Sequence, residues 1–533
     1  MRTRIILFLI LIVQVFSLYA QEFVWANSVT GDEHEYGIEA IKDPLGNTYI
    51  IGYSTGNPFE FEGVTYPTNG RSDAFFAKLD TNKELVWMKT VGGNDPNYPD
   101  EAIDIHIDPF GDIYLTFKSS GDNFKYDGQI LSGIDSPGQY SGEGVLIKVN
   151  SNGEYIWHDS GTTSSSFQAI TTDSNGNLYL TGNFSSSITL GGTITLTNTS
   201  SGTTVDMLVA KYQPDGTILW AKNAGGLPHN TFAYGYDLEI NSQSNEVIVL
   251  GHSDGAVFYD GVPTPINNSA DEGIVLISYE LDGTQNWVKA ILEQPSNFSC
   301  YGISLDISNS GVIGACGYKN SGLGLVGFYT SDGTVISEHA YTSSESVRIY
   351  SIAFNESNEA YLSGWCDTDA ILGINPGTVS LSSTTGFIVK IDTSQQVKWV
   401  SEFTATGIGN QIYYSDHSIM YAGRIDDDFI TNSGQIVIIH NSGDALFGEI
   451  IDQDLLSIDT HLKEDIAVYP NPTSGLLVVE SNTLQKVEIY NISGVLLKTV
   501  RRKEIDLSQY SKGMYLLKLV TINGTTIKKI VLI

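Results

Sequence analysis

The sequence predicts an all-β protein: a β-propeller of about seven blades, each a four-stranded antiparallel sheet, followed by a small C-terminal Ig-like β-sandwich. Three observations carry this prediction. Tryptophan recurs at a near-constant interval, Asp/Gly turns recur within each interval, and the charge balance changes abruptly near the C-terminus. Only 17% of residues are charged, and Gly, Ser, Thr, Asn and Tyr are abundant. This composition favours strands and tight turns over helices.

The repeat is the main evidence for the propeller. Five tryptophans are spaced 62 to 70 residues apart, and a later copy follows: Trp25, Trp87, Trp157, Trp220, Trp287 and Trp399. One turn recurs early in each unit, as at 43–47 and 108–112, and a second precedes the tryptophan, as at 150–154. Short alternating runs lie between these turns, so each unit predicts four antiparallel strands, A to D. Such units build a propeller; an open solenoid or several sandwiches is the alternative.

Seven units are expected, of which the fifth and seventh are shortened. They cover about 36–90, 100–160, 166–223, 234–290, 300–340, 349–402 and 411–452. Phe23–Val29 carries Trp25 and predicts a lone strand D that completes the last blade and closes the ring. Residues 445–451 compete for the same place, which leaves the blade count open by one.

Three segments of the units are distinctive: Asn47-Thr48-Tyr49-Ile50, Asn177-Leu178-Tyr179-Leu180 and the run Asp73–Lys78. They resemble the bacterial β-propeller repeats found in many secreted proteins. The resemblance covers roughly residues 22–452. It implies a fold and often an extracellular location, but no single activity.

The two ends of the chain predict export. Residues 1–20 have a positive start, an apolar run and a small residue at a cleavage point, as in a signal peptide; an N-terminal membrane anchor is the alternative. The net charge is −39 over 21–460 and +4 over 461–533. This break predicts a propeller over 21–455, a linker over 456–463 and a separate domain over 464–533. Nucleic acid is excluded as a partner of the acidic part, because its phosphates would be repelled.

The C-terminal segment predicts six or seven short strands separated by turns. Its motifs contain Tyr469, Pro470, Asn471, Pro472, Gly475, Gly494, Gly513, Tyr515, Lys528 and Lys529. The order and spacing of these motifs closely resemble the type A C-terminal sorting domain of the type IX secretion system. The resemblance implies recognition by the translocon, transport across the outer membrane of a Bacteroidetes-type bacterium, and a released or surface-held product after processing. An ordinary Ig-like binding module is the alternative.

Two motif matches are discounted. Gly52–Gly56 and Gly251–Gly255 fit the Gly-x-Ser-x-Gly of hydrolases, but both fall at the end of strand B with no helix following. Gly322–Gly327 fits a dinucleotide fingerprint but lies inside a β unit.

No metal or cofactor is expected from the spacing of Cys and His residues, and three cysteines cannot form a disulfide framework. Asp426-Asp427-Asp428 and the pair Asp367/Asp369 offer oxygen ligands for Ca²⁺. They lack regular alternate spacing, so a solvated acidic loop is favoured and calcium is the alternative.

The binding surface is predicted on the face that carries the B–C and D–A connections, because their lengths vary most. Aromatic residues recur near the start of strand A and predict a ring at the channel mouth: Tyr36, Phe167, Tyr234, Tyr301, Tyr350 and Tyr413. They would stack on sugars or peptides. The alternative is that they only pack between blades.

The sequence favours a non-enzymatic extracellular binding or adhesion protein, with the C-terminal domain as its export signal. Its ligand would be a carbohydrate or a protein. A secreted hydrolase or lyase acting on polysaccharide or peptide is the alternative, with acidic residues such as Asp100 and Glu101 on the loop-rich face. The fold hosts both classes, so it does not choose between them.

Overall fold

Seven four-stranded antiparallel sheets follow one another along the described part of the chain, in a computed structural model. The structure describes residues 23–120, 123–131, 142–161, 164–198, 204–227, 232–254, 256–259, 262–264, 272–292, 300–319, 322–343, 346–367, 370–373, 379–381, 385–403, 411–426, 429–430, 437–438, 443–452, 467–481, 484–491, 496–521 and 524–532. The predicted signal peptide, the predicted linker over 456–463 and Gly494 lie outside these ranges.

Each blade runs A-B-C-D from the central channel outward. In blades 1 to 3 the strands are Glu35–Lys42, Thr48–Ser54, Asp73–Leu79 and Leu85–Gly92; Glu101–Ile107, Ile113–Ser119, Glu143–Val149 and Tyr155–Ser160; Ser165–Thr172, Leu178–Ser185, Val205–Tyr212 and Ile218–Leu227. In blades 4 to 6 they are Ala233–Asn241, Glu246–Asp254, Glu272–Glu280 and Gln285–Ile291; Cys300–Ile307, Ile313–Lys319, Leu323–Tyr329 and Val335–Tyr341; Val347–Phe354, Ala360–Cys366, Thr385–Ile391 and Val397–Phe403. The fifth unit is therefore a complete blade.

The seventh blade combines both ends of the propeller segment. Its strands A to C are Gln411–Ser415, Ser418–Ile425 and Asp444–Ile451, and its strand D is Phe23–Gly31. Trp25 lies opposite Glu449 in this antiparallel pair. The prediction that Phe23–Val29 completes the last blade is confirmed, and residues 445–451 form strand C instead. Because the first strand closes the last blade, the ring is held by backbone hydrogen bonds between the two ends.

The recurring tryptophans pack under the turns of the next blade. A Cβ at Gly153, in the C–D turn of blade 2, would lie 2.9 Å from the ring of Trp87 in blade 1. Gly216 meets Trp157 in the same way, at 3.0 Å. Trp157 Nε1 also donates to the carbonyl of Pro214, at 3.0 Å. The tryptophan and the turn glycine therefore recur together, because each pair forms one contact between neighbouring blades.

Strand C contributes a lysine to the same contact. Lys148 Nζ lies 4.8 Å from the centre of the Tyr114 ring, 3.5 Å from Asp108 and 3.1 Å from the carbonyl of Pro214. Lys211 repeats this arrangement in blade 3, over Tyr179 and 3.7 Å from Asp173. The Asp at the A–B turn, the Tyr of strand B and the Lys of strand C are therefore one structural unit.

Most B–C connections carry a short hairpin. The strands of these hairpins are Phe59–Phe61 and Val64–Tyr66, Lys125–Tyr126 and Gln129–Ile130, Ser187–Leu190 and Ile194–Thr197, Ala256–Tyr259 and Val262–Thr264, Ile371–Leu372 and Val379–Ser380, and Phe429–Ile430 and Val437–Ile438. Three of them pair with strand D of the preceding blade, as where Lys125 lies opposite Gly92. These hairpins therefore cover part of an otherwise open sheet edge.

The C-terminal domain is a sandwich of two antiparallel sheets. One contains Ala467–Tyr469, Leu476–Glu480 and Glu504–Asp506; the other contains Leu496–Val500, Leu484–Asn491, Gly513–Thr521 and Gly524–Leu532. Buried aliphatic side chains from both sheets, such as Val479 and Leu517, form one core. The fold class predicted from the sequence is confirmed for both domains.

Candidate binding site

The same structural position recurs in the blades around the channel mouth on the loop-rich face. At this position, a residue near the start of strand A lies opposite a residue near the end of strand B. In blades 1 to 6 the pairs are Tyr36–Tyr53, Glu101–Lys118, Ser166–Asn183, Tyr234–His252, Tyr301–Tyr318 and Arg348–Trp365, and strand B of blade 7 contributes Arg424. We call these residues the collar. Blades 4 to 7 and blade 1 supply aromatic or cationic side chains, whereas blade 3 supplies small polar ones.

The aromatic side chains of the collar contact one another across blades. His252 lies 5.8 Å from Tyr301, which lies 5.5 Å from Tyr318, measured between ring centroids. Tyr234 stacks on His252 and on Tyr236, a residue that lines the channel. The row therefore runs without a gap from the channel wall of blade 4 to blade 5.

Two collar arginines also contact tyrosine rings. The Arg424 guanidinium lies 5.0 Å from the centre of the Tyr36 ring and donates from Nη1 to the Tyr36 hydroxyl at 2.8 Å. The Tyr53 ring stacks on the Tyr36 ring, with 4.5 Å between their centroids. Arg348 lies 5.2 Å above the ring of Tyr318. The faces of the Tyr36 and Tyr318 rings are thus covered by neighbouring groups.

The structure places the six aromatic residues predicted to form a ring in different environments. Tyr36, Tyr234 and Tyr301 are collar residues. Phe167 is fully buried in the core of blade 3, so its placement in a ring at the mouth is wrong. Tyr350 is only 7% exposed and packs beside Tyr318.

Tyr413 lines the channel below the collar and is 36% exposed. Sequence reasoning missed seven collar residues with large side chains: Tyr53, Lys118, His252, Tyr318, Arg348, Trp365 and Arg424. Five of these follow a glycine at the end of strand B, as in Gly52-Tyr53 and Gly364-Trp365. A Cβ at Gly52 would lie 2.2 Å from the carbonyl oxygen of Tyr36, and one at Gly364 would lie 2.3 Å from that of Arg348. The glycine is required because a β-bulge in strand A brings the two backbones close. This repeated Gly-x pair was a usable signal.

The channel inside the collar is a cavity of about 530 Å³, lined by strand A of every blade. Its wall carries carboxyl groups that cap backbone N–H groups of the next blade. Asp104 accepts from Ile170 N at 2.7 Å, Asp237 from Leu305 N at 2.7 Å and Asp306 from Phe354 N at 2.6 Å. These carboxyl groups therefore join neighbouring blades at the innermost strands.

The channel carboxyl groups hold protons more tightly than in water. Burial raises the pKa of Glu39 to about 7 and that of Asp306 to about 6. Burial and the neighbouring Glu39 raise the pKa of Asp104 well above its usual value, and the two carboxyl groups are hydrogen-bonded to each other. A pair in direct contact lacks the separation of 5 Å or more that glycosidases use.

Of the two acidic residues named for the enzyme alternative, Asp100 caps backbone groups and Glu101 is a collar residue. Asp100 is 2% exposed and accepts from Gly93 N at 2.6 Å and Ser120 N at 2.9 Å. Burial raises its pKa to about 7. Glu101 lies 3.9 Å from Lys118 within the collar. Both oxygens of Asp100 are therefore engaged by backbone donors, as in a structural cap.

The discounted motifs lie in ordinary β structure. Ser54 and Ser253 are fully buried in the two Gly-x-Ser-x-Gly segments, and Ser54 donates to Glu35 at 2.8 Å. Gly322 begins a turn with a φ of 84°, and the rest of its segment is strand C of blade 5.

Of the acidic residues considered for calcium, Asp427, Asp428 and Asp369 lie outside the described residues. Asp426 pairs with Arg424. Within the described ranges, no three His, Cys, Asp or Glu side chains converge as metal ligands.

Several residues that carry the predicted sorting motif lie where the first and last strands of the C-terminal domain meet. Asn471 donates from Nδ2 to the carbonyl of Lys529 at 2.7 Å and accepts from Val531 N at 2.9 Å. Thr473 N donates to the carbonyl of Val531 at 2.8 Å. Tyr469 is 47% exposed, whereas Tyr515 is buried and donates to the carbonyl of Ser511. The Tyr-Pro-Asn-Pro segment thus holds the C-terminal strand in place through Asn471.

A family comparison decides the assignment of this segment. Residues 467–533 match the family described as Secretion system C-terminal sorting domain. The chain carries a type IX secretion sorting domain. The protein is therefore exported and is secreted or held at the cell surface after processing. No helix in the described residues has the length and apolar character needed to span a membrane.

Two curated proteins share parts of the sequence. An uncharacterized WD repeat-containing protein of Acanthamoeba polyphaga mimivirus is 25% identical over 268 residues, 42% of this chain and 18% of that protein. Beta-agarase D of Zobellia galactanivorans is 32% identical over 72 residues, 13% of this chain and 15% of that protein. The chain thus spans less than a fifth of either relative.

Solved structures show distant likeness. A protein of unknown function from Dyadobacter fermentans has a TM-score of 0.39 at 9% identity, covering 81% of this chain and 99% of that one. The β-propeller domain of the Trilobed protease from Pyrococcus furiosus has a TM-score of 0.35 at 8% identity, covering 70% and 95%. Quinohemoprotein alcohol dehydrogenase from Comamonas testosteroni has a TM-score of 0.36 at 10% identity, covering 80% and 76%.

Proposed function

We infer that the propeller is an extracellular binding module that recognises a protein partner through the collar. The observation that carries this proposal is the continuous row of tyrosine, histidine and arginine side chains at the channel mouth. Tyr, Trp and Arg are the residues that dominate the binding energy of protein interfaces. Tyrosines also supply rigid contact area with a hydroxyl at the tip, as in antibody binding sites.

The packing of the collar favours a protein over a sugar ring. A sugar stacks on an open aromatic face, whereas Tyr36 has Tyr53 on one face and Arg424 over its ring. Tyr318 is contacted by Tyr301 and covered by Arg348. With these ring faces covered, the residues present ring edges and polar side-chain atoms, which suits main-chain and side-chain groups of a peptide.

The test is a selection for ligands with matched variants. Protein purified from the medium is screened against a peptide-display library and a glycan array. The variants are Tyr301→Ala with Tyr318→Ala in the collar, and Val86→Ala on the exposed outer strand of blade 1 as the control. We expect the wild type and the control to enrich peptides. The collar variant should bind these peptides at least about tenfold more weakly.

Two outcomes would contradict the proposal. Enrichment of glycans but not of peptides would mean that the ligand is a carbohydrate and not a protein, with the collar still as the site. Equal binding of the selected peptides by the wild type and the collar variant would remove the site itself. Tyr301→Phe separates the contribution of the hydroxyl from that of the ring.

A further inference from the structure

Of the two tyrosines in the sorting motif, only Tyr469 is exposed. Its exposed fraction is 47%, whereas Tyr515 is 8% exposed and contributes to the core of the sandwich. Asn471 is bonded to the C-terminal strand, so it has a structural role as well. Packing and hydrogen bonding within the domain therefore account for Tyr515 and Asn471 but not for Tyr469. An exposed tyrosine is a typical contact residue of protein interfaces.

The register of the three-stranded sheet places two more apolar side chains beside Tyr469. Val478 lies opposite Tyr469, and the neighbouring residues Leu477 and Val479 are buried in the core. Because side chains alternate along a strand, Leu476 and Val478 lie on the outer side of the sheet with Tyr469. Leu476 is 67% exposed, more than any other large apolar side chain in the described ranges. We call Tyr469, Leu476 and Val478 the outer patch.

Carboxylates border the outer patch. Glu504 and Asp506 lie directly opposite two of its residues, so they share the outer side of the sheet. Glu480, at the end of the middle strand, lies on that side as well. All three side chains are exposed, and the three strands of this sheet contain no Lys or Arg; the basic residues 501–503 lie in the connection before Glu504, at one edge. The patch is therefore apolar at its centre and acidic along the strands around it.

The outer side of the four-stranded sheet has the opposite charge. Glu488 lies opposite Lys518 and two residues after Lys486, and Lys529 lies on the last strand. Lys486 pairs with Glu488, which also accepts from the Tyr490 hydroxyl at 3.0 Å. This side is basic, and several of its polar groups bond to one another. The two faces of the sandwich therefore present different chemistry to a partner.

We propose that the secretion machinery binds the folded sorting domain through the outer patch, with Tyr469 and Leu476 as apolar anchors and basic groups of the machinery facing Glu480 and Glu504. The partner follows from the family comparison, which assigns residues 467–533 to a secretion system. An apolar centre with a polar rim is the usual composition of a protein interface, and buried tyrosines supply much of the binding energy. Complementary charge at the rim orients the domain as it docks.

The first test is photo-crosslinking in cells that export the full chain. A photo-reactive residue replaces Leu476 in one variant and Met514 in the other. Met514 is the control, because it is 36% exposed and lies on the last-but-one strand of the opposite sheet. Crosslinked products from the outer membrane are identified by mass spectrometry. We expect position 476 to crosslink to an outer-membrane component of the secretion system, and position 514 to do so much less.

The second test measures export of matched variants. Leu476→Ser combined with Tyr469→Thr should lower the fraction of protein outside the cell by roughly tenfold, as expected when two interface anchors are lost. Met514→Ser should leave this fraction unchanged. Glu504→Lys should also reduce export, because it reverses a charge at the rim, whereas Lys518→Glu on the opposite side should not. Thermal unfolding midpoints of the purified full-length variants establish that the sorting domain is folded.

Three results would overturn the proposal. The first is export of the double variant at the wild-type level, and the second is an equal loss of export in Met514→Ser. The third is a crosslink yield at position 514 that equals the yield at position 476. If the double variant unfolds at a lower temperature, Leu476→Gln keeps the side-chain length, and the crosslinking result decides. Deletion of residues 464–533 tests the sorting assignment separately, since it removes the whole domain and not one face of it.

Discussion

Trp87 of blade 1 packs against the backbone of Gly153 in the C–D turn of blade 2. A Cβ at residue 153 would lie 2.9 Å from the indole, and the φ of Gly153 is 74°. Both the left-handed backbone and the close approach require glycine. The contact recurs between successive blades, so the repeat reflects a packing requirement between neighbours.

Replacing Gly153 with alanine should therefore destabilise the propeller for two reasons. The left-handed conformation costs about 1–2 kcal/mol in an alanine, and the clash with Trp87 adds roughly 1–3 kcal/mol. Gly128→Ala is the matched control, because Gly128 has a φ of 80° with nothing within 4 Å of its Cβ position. Urea unfolding of both variants measures the difference, and equal losses would mean that the indole contact contributes nothing.

Phe23 anchors the strand that closes the ring. Its ring lies 5.1 Å from Phe429, 5.4 Å from Phe403 and 5.8 Å from Tyr421. Phe23→Ala should cost about 3–5 kcal/mol, because it leaves a cavity at the junction of the two chain ends. The neighbouring Val24 is 52% exposed, so Val24→Ala should change the free energy of unfolding by less than about 0.5 kcal/mol. Comparable effects of the two substitutions would argue against a closing role for this strand.

The repeat was predictable because its signals are local. The Asp43 carboxylate accepts from Leu45 N and Asn47 N, both at 2.9 Å, so the A–B turn is determined by residues within five positions. The tryptophan interval follows from the same regularity. Closure by Phe23–Gly31 was also predictable, since Trp25 fits the repeated strand D. Which segment forms strand C of blade 7 was not, because that depends on pairing across the whole chain.

The collar was only partly predictable because a shift of one residue moves a side chain to the other face of a strand. Phe167 lies opposite Gly182, the position that Gly37 occupies opposite Gly52 in blade 1. It is therefore one residue past the collar position, and it is buried. Tyr350 sits at the bulge of its strand, and Arg348 takes the collar position two residues earlier. An aromatic residue near the start of strand A can therefore occupy any of these positions, and only the strand register distinguishes them.

Glu449, in strand C of blade 7, forms ion pairs with two lysines of the neighbouring blade, Lys42 and Lys83. The Lys83 contact is 2.7 Å, and all three side chains are at most 12% exposed. Removing one member of such a buried cluster leaves uncompensated charge, so Glu449→Gln should cost roughly 3 kcal/mol. Asp127→Asn, which breaks a surface pair with Lys89, is the control and should cost less than about 1 kcal/mol.

The same cluster sets the acid limit of stability. Burial alone would raise the pKa of Glu449, but hydrogen bonds from Lys42, Lys83 and Ser418 lower it to about 2. The pKa in the folded protein is thus below the ordinary value of 4.5, so this stabilisation is complete above pH 4.5 and is lost as the pH falls toward 2. In the Glu449→Gln variant, the free energy of unfolding should therefore fall less between pH 4.5 and 2 than it does in the wild type.

The channel carboxyl groups act in the opposite direction. Burial raises the pKa of Glu39 from 4.5 to about 7, so its contribution to stability is complete below pH 4.5 and is lost as the pH rises toward 7. Each extra bound proton changes the free energy of unfolding by about 1.4 kcal/mol per pH unit. Glu39→Gln should flatten this decline between pH 5 and 7, measured by urea unfolding. Thr189→Ala, at an exposed hairpin, is the control, and an identical slope in Glu39→Gln and the wild type would mean that Glu39 does not hold a proton in the folded protein.

Asn471 connects the sorting motif to the C-terminal strand through two hydrogen bonds, to the carbonyl of Lys529 and from Val531 N. Asn471→Ala removes both and should destabilise the sorting domain by about 1–3 kcal/mol, because Val531 N loses its acceptor. If the translocon recognises the folded domain, the fraction of protein reaching the medium and cell surface should fall, as measured by quantitative mass spectrometry against intracellular protein. Thr499→Ala, at an exposed position of the same domain, should be exported like the wild type. Normal export of the Asn471→Ala protein, with a measurably destabilised domain, would show that the translocon reads a sequence element that does not depend on this packing.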